Sequence, residues 1–218
     1  MIKLKNITKR YGEKVVYQNF NLDIEQGKIL VVLGESGTGK TTLLNILGGL
    51  TDFEGEIENK PQKISWVFQN NRLVPNLTAK ENVSLVNANA NASELLKQVG
   101  LESQENALPK TLSAGMQRRV AIARALAYSA PLVLMDEPFI NLDLALKYTL
   151  LEKVKRLAKE QGLTLVVVTH DIKEAVSFAD RIVVVADNNI VCDVKEIKEN
   201  TEKELFGIMM GISKEKII

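Results

Sequence analysis

Gly34-Glu35-Ser36-Gly37-Thr38-Gly39-Lys40-Thr41 places glycines, a lysine and a hydroxyl in one short span, spaced as Gly, four residues, Gly-Lys-Thr. The span directly follows the apolar run Ile29–Leu33 and directly precedes residues with helical spacing, the context in which such a loop grips phosphate. Glycines let the backbone curl until successive N–H groups face a concavity, and a following helix adds the partial positive charge of its N-terminus. Lys40 can then neutralise β- and γ-phosphate oxygens, and the Thr41 hydroxyl can ligate Mg²⁺. A second constellation is Leu132-Val133-Leu134-Met135-Asp136-Glu137, four apolar residues ending in paired carboxylates. At the carboxyl end of a parallel strand these acids would open on the same crevice as the phosphate loop. Asp136 there suits a Mg²⁺ site, and Glu137 suits a general base for a water attacking the γ-phosphate. His170 follows another apolar run and would emerge at the same edge, where it could donate to phosphate; a lone strand-end His is more often a capping or surface residue, and the functional reading gains force only from the phosphate loop and carboxylates on that edge. Leu112 to Leu126 opens Leu-Ser-Ala-Gly and continues as a basic amphipathic helix, whose start is either a second anion site or an ordinary N-cap.

The elements that must position these residues are legible as patterns. Apolar and polar residues alternate over the first sixty or so positions, breaking at Gly12 and Gly27, as in half-buried antiparallel strands. Wholly apolar, β-branched runs at Ile29 to Leu33, Leu132 to Met135, Leu165 to Val168 and Ile182 to Val185 predict strands of a parallel sheet covered on both faces. Leu43, Ile46, Leu47 and Leu50 keep helix spacing after the first run, and Leu150, Leu151, Val154, Leu157 and Ala158 keep it before the third. From Pro75 to Ser129 helix signals replace strands: Thr78 with Glu81 makes a capping box, and Ser93 opens a helix stopped by Gly100. The Asn-Ala patch from Asn87 to Ala92 reads as an unpacked loop. The expected architecture is α/β, one domain over 1–218, with a nucleotide-binding core at 1–70 and 130–218 and a helical subdomain at 71–129.

Composition narrows the chemistry. Hydrophobic residues make up 45% and charged residues 25% of 218, and 28 Lys and Arg against 27 Asp and Glu leave a net charge of +1, so overall charge does not draw the chain to nucleic acid. One Cys and one His cannot supply a zinc site, so a metal here would sit on oxygens. No apolar run approaches the ~20 residues of a membrane-spanning helix, and the start has no basic and apolar leader, so a cytoplasmic chain is expected.

In order and spacing, these segments resemble the ATP-binding cassette (ABC) family, and within it the separate ATPase subunits of uptake transporters of the nitrate, sulfonate and taurine type. Gly34 to Thr41 is similar to the Walker A motif, Gln69 to the Q-loop glutamine and Leu112 to Met116 to the family signature. Leu132 to Glu137 resembles Walker B with its catalytic glutamate, Asn141-Leu142-Asp143 the D-loop, and His170 the switch histidine. Tyr11, in the turn Arg10-Tyr11-Gly12, stands where the family places an aromatic that stacks on adenine; a Tyr in a turn otherwise serves structure as readily. The resemblance implies catalytic roles for Glu137, His170 and Gln69, and Mg²⁺ held near Thr41, Gln69 and Asp136. It implies ATP contacts from Tyr11, Gly34, Glu35, Ser36, Gly37, Thr38, Gly39, Lys40, Thr41 and Thr42 of one subunit, and from Ser113 and Gly115 of a second. Implied partners are that second ATPase subunit, in a homodimer, integral membrane permease subunits and an extracytoplasmic solute-binding protein. The implied location is the cytoplasmic face of the cell membrane.

Two departures stand out. The signature has Ala114 for its first glycine and Met116 for its glutamine, and Ile140-Asn141 replaces the small pair expected before Leu142. A methyl at position 114 costs on the order of 1 kcal/mol if φ is positive there and nothing if the residue is helical. Among rivals, a GTPase would need an Asn/Thr-Lys-x-Asp guanine reader, which does not occur, and a P-loop kinase needs no signature helix. A soluble ABC ATPase without transport is the alternative. Its known forms are tandem, zinc-bearing or interrupted by a coiled coil, and the interval from Lys40 to Asp136 carries no heptads.

Overall fold

The computed structural model describes residues 1–215. Strands β1 (Ile2–Tyr11) and β2 (Lys14–Ile24) pair antiparallel, and β4 (Glu54–Glu58) joins β1 on its other side, giving a three-stranded sheet in the order β2-β1-β4. The alternation in sequence is the alternation of its faces: Ile2, Leu4, Ile7, Phe20, Leu22 and Ile24 are buried while their neighbours face outward.

The larger sheet has six strands in the order β5-β6-β7-β3-β8-β9. It comprises β3 (Ile29–Leu33), β5 (Ile64–Val67), β6 (Leu132–Asp136), β7 (Thr164–Thr169), β8 (Arg181–Ala186) and β9 (Asn189–Val194). The first five run parallel, and β9 alone returns antiparallel at the edge. The four apolar runs are β3, β6, β7 and β8, and nearly every residue in them is buried because layers cover both faces. One face packs on α1 (Lys40–Gly48) and the three-stranded sheet through Leu30, Val32, Leu43, Ile46 and Leu47. The other packs on α5 (Leu144–Glu160), α6 (Ile172–Phe178) and the helical insert. The apolar positions read from helical spacing in α5, from Leu150 to Ala158, are its buried face. Leu50 is a correction. Gly49 adopts φ 71 and ends α1 after Gly48, the Leu50 N–H turns back to the Asn45 carbonyl, and the side chain is exposed.

The insert contains α2 (Ala79–Ser84), α3 (Ala92–Gln98) and α4 (Ala114–Ala127), joined by two 3₁₀ turns. Thr78 and Glu81 form the expected reciprocal capping box on α2. The cap of α3 is Asn91, not Ser93: the Asn91 side chain accepts from the Glu94 N–H, and Ala92 is buried behind it. The Asn-Ala patch is therefore not an unpacked loop, since the Asn87 amide also donates to the Ala127 carbonyl, 3.0 Å away. The last described helix is α7 (Thr201–Glu215), and none of the described helices is long and apolar enough to cross a membrane.

Candidate nucleotide site

Because β3, β5, β6, β7 and β8 are parallel, the residues that follow them open on one edge. Leu33 pairs with Thr169 and Asp136 with Val168, which sets the phosphate loop, the carboxylate pair and His170 side by side.

The phosphate loop is shaped by contacts its glycines alone permit. Gly39 sits at φ 97, and a Cβ there would lie 2.6 Å from Val16 Cγ1. Its carbonyl accepts from the buried Tyr17 hydroxyl at 3.0 Å, so the small sheet anchors the loop. Nothing in the sequence distinguishes Tyr17, because only tertiary packing aims its hydroxyl. Helices α2 to α6 each receive a side-chain cap, from Thr78, Asn91, Ser113, Asp143 and Asp171. Helix α1 receives none, and its N-cap is glycine. Its first-turn N–H groups are left for a ligand, which is the donor set a polyphosphate requires.

Lys40 is 7% exposed, and its ammonium donates to the Gly34 and Glu35 carbonyls at 2.8 and 2.7 Å. Burial pulls its pKa down, opposed by the charges of Glu137, Asp136 and Glu35. The Glu35 carbonyl also accepts from the Thr38 hydroxyl, while Ser36 and Gly37 are exposed at the mouth. Thr41 donates its hydroxyl to Asp136 Oδ2 at 2.9 Å. Burial pushes the Asp136 carboxyl above its ordinary range, offset in part by that hydroxyl and by Lys40 and Arg118. Paired hydroxyl and carboxylate oxygens are hard donors and fit Mg²⁺.

Glu137 lies just beyond β6 at φ 48, a left-handed conformation that costs a non-glycine residue about 1 kcal/mol or more. Its N–H donates to the Val168 carbonyl, and its Oε1 lies 2.8 Å from His170 Nδ1. The two residues that the sequence set apart by thirty-three positions thus touch at the cleft. Phe139, Thr169, Lys147 and Glu174 wall the same pocket. A separate groove is lined by Tyr11, Lys14 and Val16 with Gly37, Gly39, Lys40, Thr41 and Thr42. The Tyr11 ring is 50% exposed, and Lys9 Nζ lies 4.7 Å from its centroid.

Gln69 is not among the walls of either cleft and is tied to α4 through its backbone. Its carbonyl is held by Arg118, and its exposed side-chain amide has no hydrogen-bond partner among the described residues. Ser113 and Gly115 are not among the walls of either cleft. Ser113 caps α4, accepting from the Met116 N–H, so its hydroxyl proton remains available to an anion. Ala114 is the first residue of α4, with ordinary helical geometry, so its methyl is harmless. Gly115 abuts the next loop: a Cβ there would lie 3.1 Å from Leu142 and 3.2 Å from the Asn141 carbonyl. The basic helix is a correction, since Arg118 is buried and Arg119 and Arg124 point at backbone carbonyls, not along a solvated face.

The sequence model of the ABC transporter family matches residues 17–140. The chain belongs to the ABC transporter family. Among its relatives, an aliphatic sulfonates import ATP-binding protein of Paraburkholderia xenovorans is 38% identical over 213 residues, spanning 96% of this chain and 86% of that protein. An Fe(3+) ions import ATP-binding protein of Fusobacterium nucleatum is 37% identical over 87% of this chain, which spans only 56% of that longer relative. A solved dimeric structure of the ATP-binding cassette MJ0796, in a post-hydrolysis state bound to ADP and Pi, superposes with a TM-score of 0.81 at 38% identity, covering 91% of this chain and 99% of that one. MJ0796 is described as an uncharacterized ABC transporter ATP-binding protein of Methanocaldococcus jannaschii. The ABC cassette fold and an ATP-hydrolysing activity follow for this chain, with its cleft at the strand edge where β3, β6 and β7 end.

Proposed function

We propose that this chain is the ATP-hydrolysing subunit of a solute importer, that two copies close on ATP, and that the closure drives separate permease subunits at the cytoplasmic face of the membrane. The observation that carries the reading is the division of the site. The phosphate loop, Thr41, Asp136, Glu137 and His170 meet at one edge, while Ser113, with a free hydroxyl proton, lies outside their walls. Such a half-site gains its second set of donors from another copy, and the dimeric form of the MJ0796 cassette supports that arrangement. Two relatives are named for import and differ on the solute, one naming ferric ions and the other sulfonates. An extracytoplasmic solute-binding protein is the matching delivery partner.

In this reading the open N–H groups of α1 and the Lys40 ammonium bind the polyphosphate, and the exposed Tyr11 ring stacks on adenine. Thr41, Asp136 and the Gln69 amide would hold Mg²⁺, which when bound neutralises charge developing on the phosphates. Glu137 takes the proton of the attacking water, and His170, in contact with it, orients the carboxylate and donates toward the γ-phosphate. The helical region 71–129 carries Ser113 and Gly115 toward the other copy. Of the apolar residues at its junction with the core, Leu73 packs on the core, which leaves half-buried Val74 and Leu77 as the candidate apolar contacts for a permease helix.

The test is a purified chain titrated with Mg-ATP. The Lys40→Ala variant should lose binding, and the wild type should hydrolyse ATP and co-purify with a permease from gently solubilised membranes of its own cells. Equal binding by the variant overturns the site, and a wild type never found at membranes returns the chain to the soluble ATPase alternative.

A further inference from the structure

One buried cation of the molecule has no part in the chemistry above. Arg118 is 4% exposed in the middle of α4, and no carboxylate lies within ion-pair distance of it among the described residues. Burying a guanidinium without an anion is costly unless its donors are filled. Two of them are met by backbone: Nη1 donates to the Phe68 carbonyl and Nη2 to the Gln69 carbonyl. Successive carbonyls of an extended strand point to opposite sides, so one planar fork can meet both only where the chain bends. The bend falls directly after β5 ends at Val67. The same helix grips the residues that follow, with Arg124 donating to the Asn71 and Arg72 carbonyls at 2.9 Å each. It also grips the strand itself, where the Ser65 hydroxyl donates to the Ala125 carbonyl at 2.8 Å. The loop bearing Gln69 is thus fastened to the helix capped by Ser113, five residues before Arg118.

We propose that Arg118 is a positioning residue for ATP hydrolysis, tying the Gln69 peptide to the signature helix so that Gln69 and Ser113 move into or out of register with the nucleotide as one body. The proposal rests on the ATPase reading above and adds to it the physical link between the half of the site supplied in cis and the half supplied to the other copy. A second consequence is electrostatic. Asp136 and Glu137 both act on the Arg118 charge, so the cation lies close enough to the carboxylate pair to be felt there. Arg118 touches neither reacting atom. Its contribution passes through Gln69, and that route is what an experiment can isolate.

Phosphate release and equilibrium Mg-ATP binding are measured on wild type, R118M, R118K, Q69A and the R118M/Q69A double variant. R118M should lower kcat at least tenfold while the ATP dissociation constant stays within threefold, because the phosphate loop is untouched. R118K, which keeps the charge and one donor group, should recover part of the loss. In the Q69A background R118M should change kcat by less than twofold, since the residue it positions is already gone. An unchanged kcat in R118M, or a loss that multiplies in full with that of Q69A, overturns the proposal. If thermal unfolding shows that R118M does not fold, R118Q, which keeps a two-hydrogen donor in the same space, carries the cycle under the same criteria. A wild type without ATPase activity overturns the parent reading together with this one, whereas an active wild type with independent variants overturns this one alone.

Discussion

Replacing Glu137 by Gln separates catalysis from folding. Near Glu137 the electrostatic influences oppose one another: Asp136 is a like charge, while Lys40 and Arg118 are attracted to it. Glutamine keeps the volume, the contact with His170 and the Glu137 N–H bond to Val168, and it occupies the same left-handed backbone position. The folded state should therefore keep its melting temperature to within roughly 2 °C, less than 1 kcal/mol for a domain of this size. Turnover is another matter, because an amide cannot accept a proton from water. Loss of a positioned general base lowers the rate by roughly 10²–10⁴, or about 3–5 kcal/mol of barrier. Mg-ATP affinity should hold or rise, since one negative charge beside the polyphosphate has gone. Bound but unhydrolysed ATP should then hold two copies together, so the variant should elute as a dimer with Mg-ATP and as a monomer without it. Single-turnover phosphate release, equilibrium titration and size-exclusion chromatography read these quantities separately. Hydrolysis within tenfold of wild type would show that another group takes the proton, and a nucleotide-insensitive monomer would count against the composite site.

Three further variants test other parts of the site. Lys147 is held at 2.6 Å from Asp171 and 2.9 Å from the buried Glu174; Lys147→Met should destabilise the chain by about 3 kcal/mol at pH 7.5. Burial raises the Glu174 pKa against the pull of Lys147, so without the lysine its proton affinity in the folded state rises further, and the penalty should shrink as pH falls toward 5. Equal losses in thermal unfolding at both pH values would contradict that account. Tyr11→Ala should weaken Mg-ATP binding by ~1–3 kcal/mol if the half-exposed ring stacks on adenine, and an unchanged titration assigns Tyr11 to the turn alone. Gly39→Ala forces a methyl against Val16 at a positive φ, so nucleotide affinity and melting temperature should both drop; retention of both would mean the loop relaxes freely.

What could be read from the chain and what could not divides along a physical line. Strands β3, β6, β7 and β8 were visible because burial on both faces demands unbroken apolar runs, and the phosphate loop because its glycines answer to local backbone geometry. The caps at Thr78 and Ser113 are equally local, each made within three residues. The misses depend on partners far along the chain. Asn91 and Ser93 are both competent caps, and the choice fell to Asn91 because Ala92 is buried against the insert. Arginines on a helix suggest a solvated face, yet Arg118 and Arg124 turn inward because the chain after β5 presents carbonyls that no strand neighbour satisfies. The contact between Glu137 and His170 required two strand ends to be neighbours, which pairing of β6 with β7 supplies. On the proposed reading, the groups that meet phosphate belong to local motifs, and the groups that tie those motifs together are side chains reaching across the fold to backbone. Substitutions of the first kind should therefore abolish binding or chemistry outright. Substitutions of the second kind should leave nucleotide bound and loosen its connection to the helix that serves the other copy.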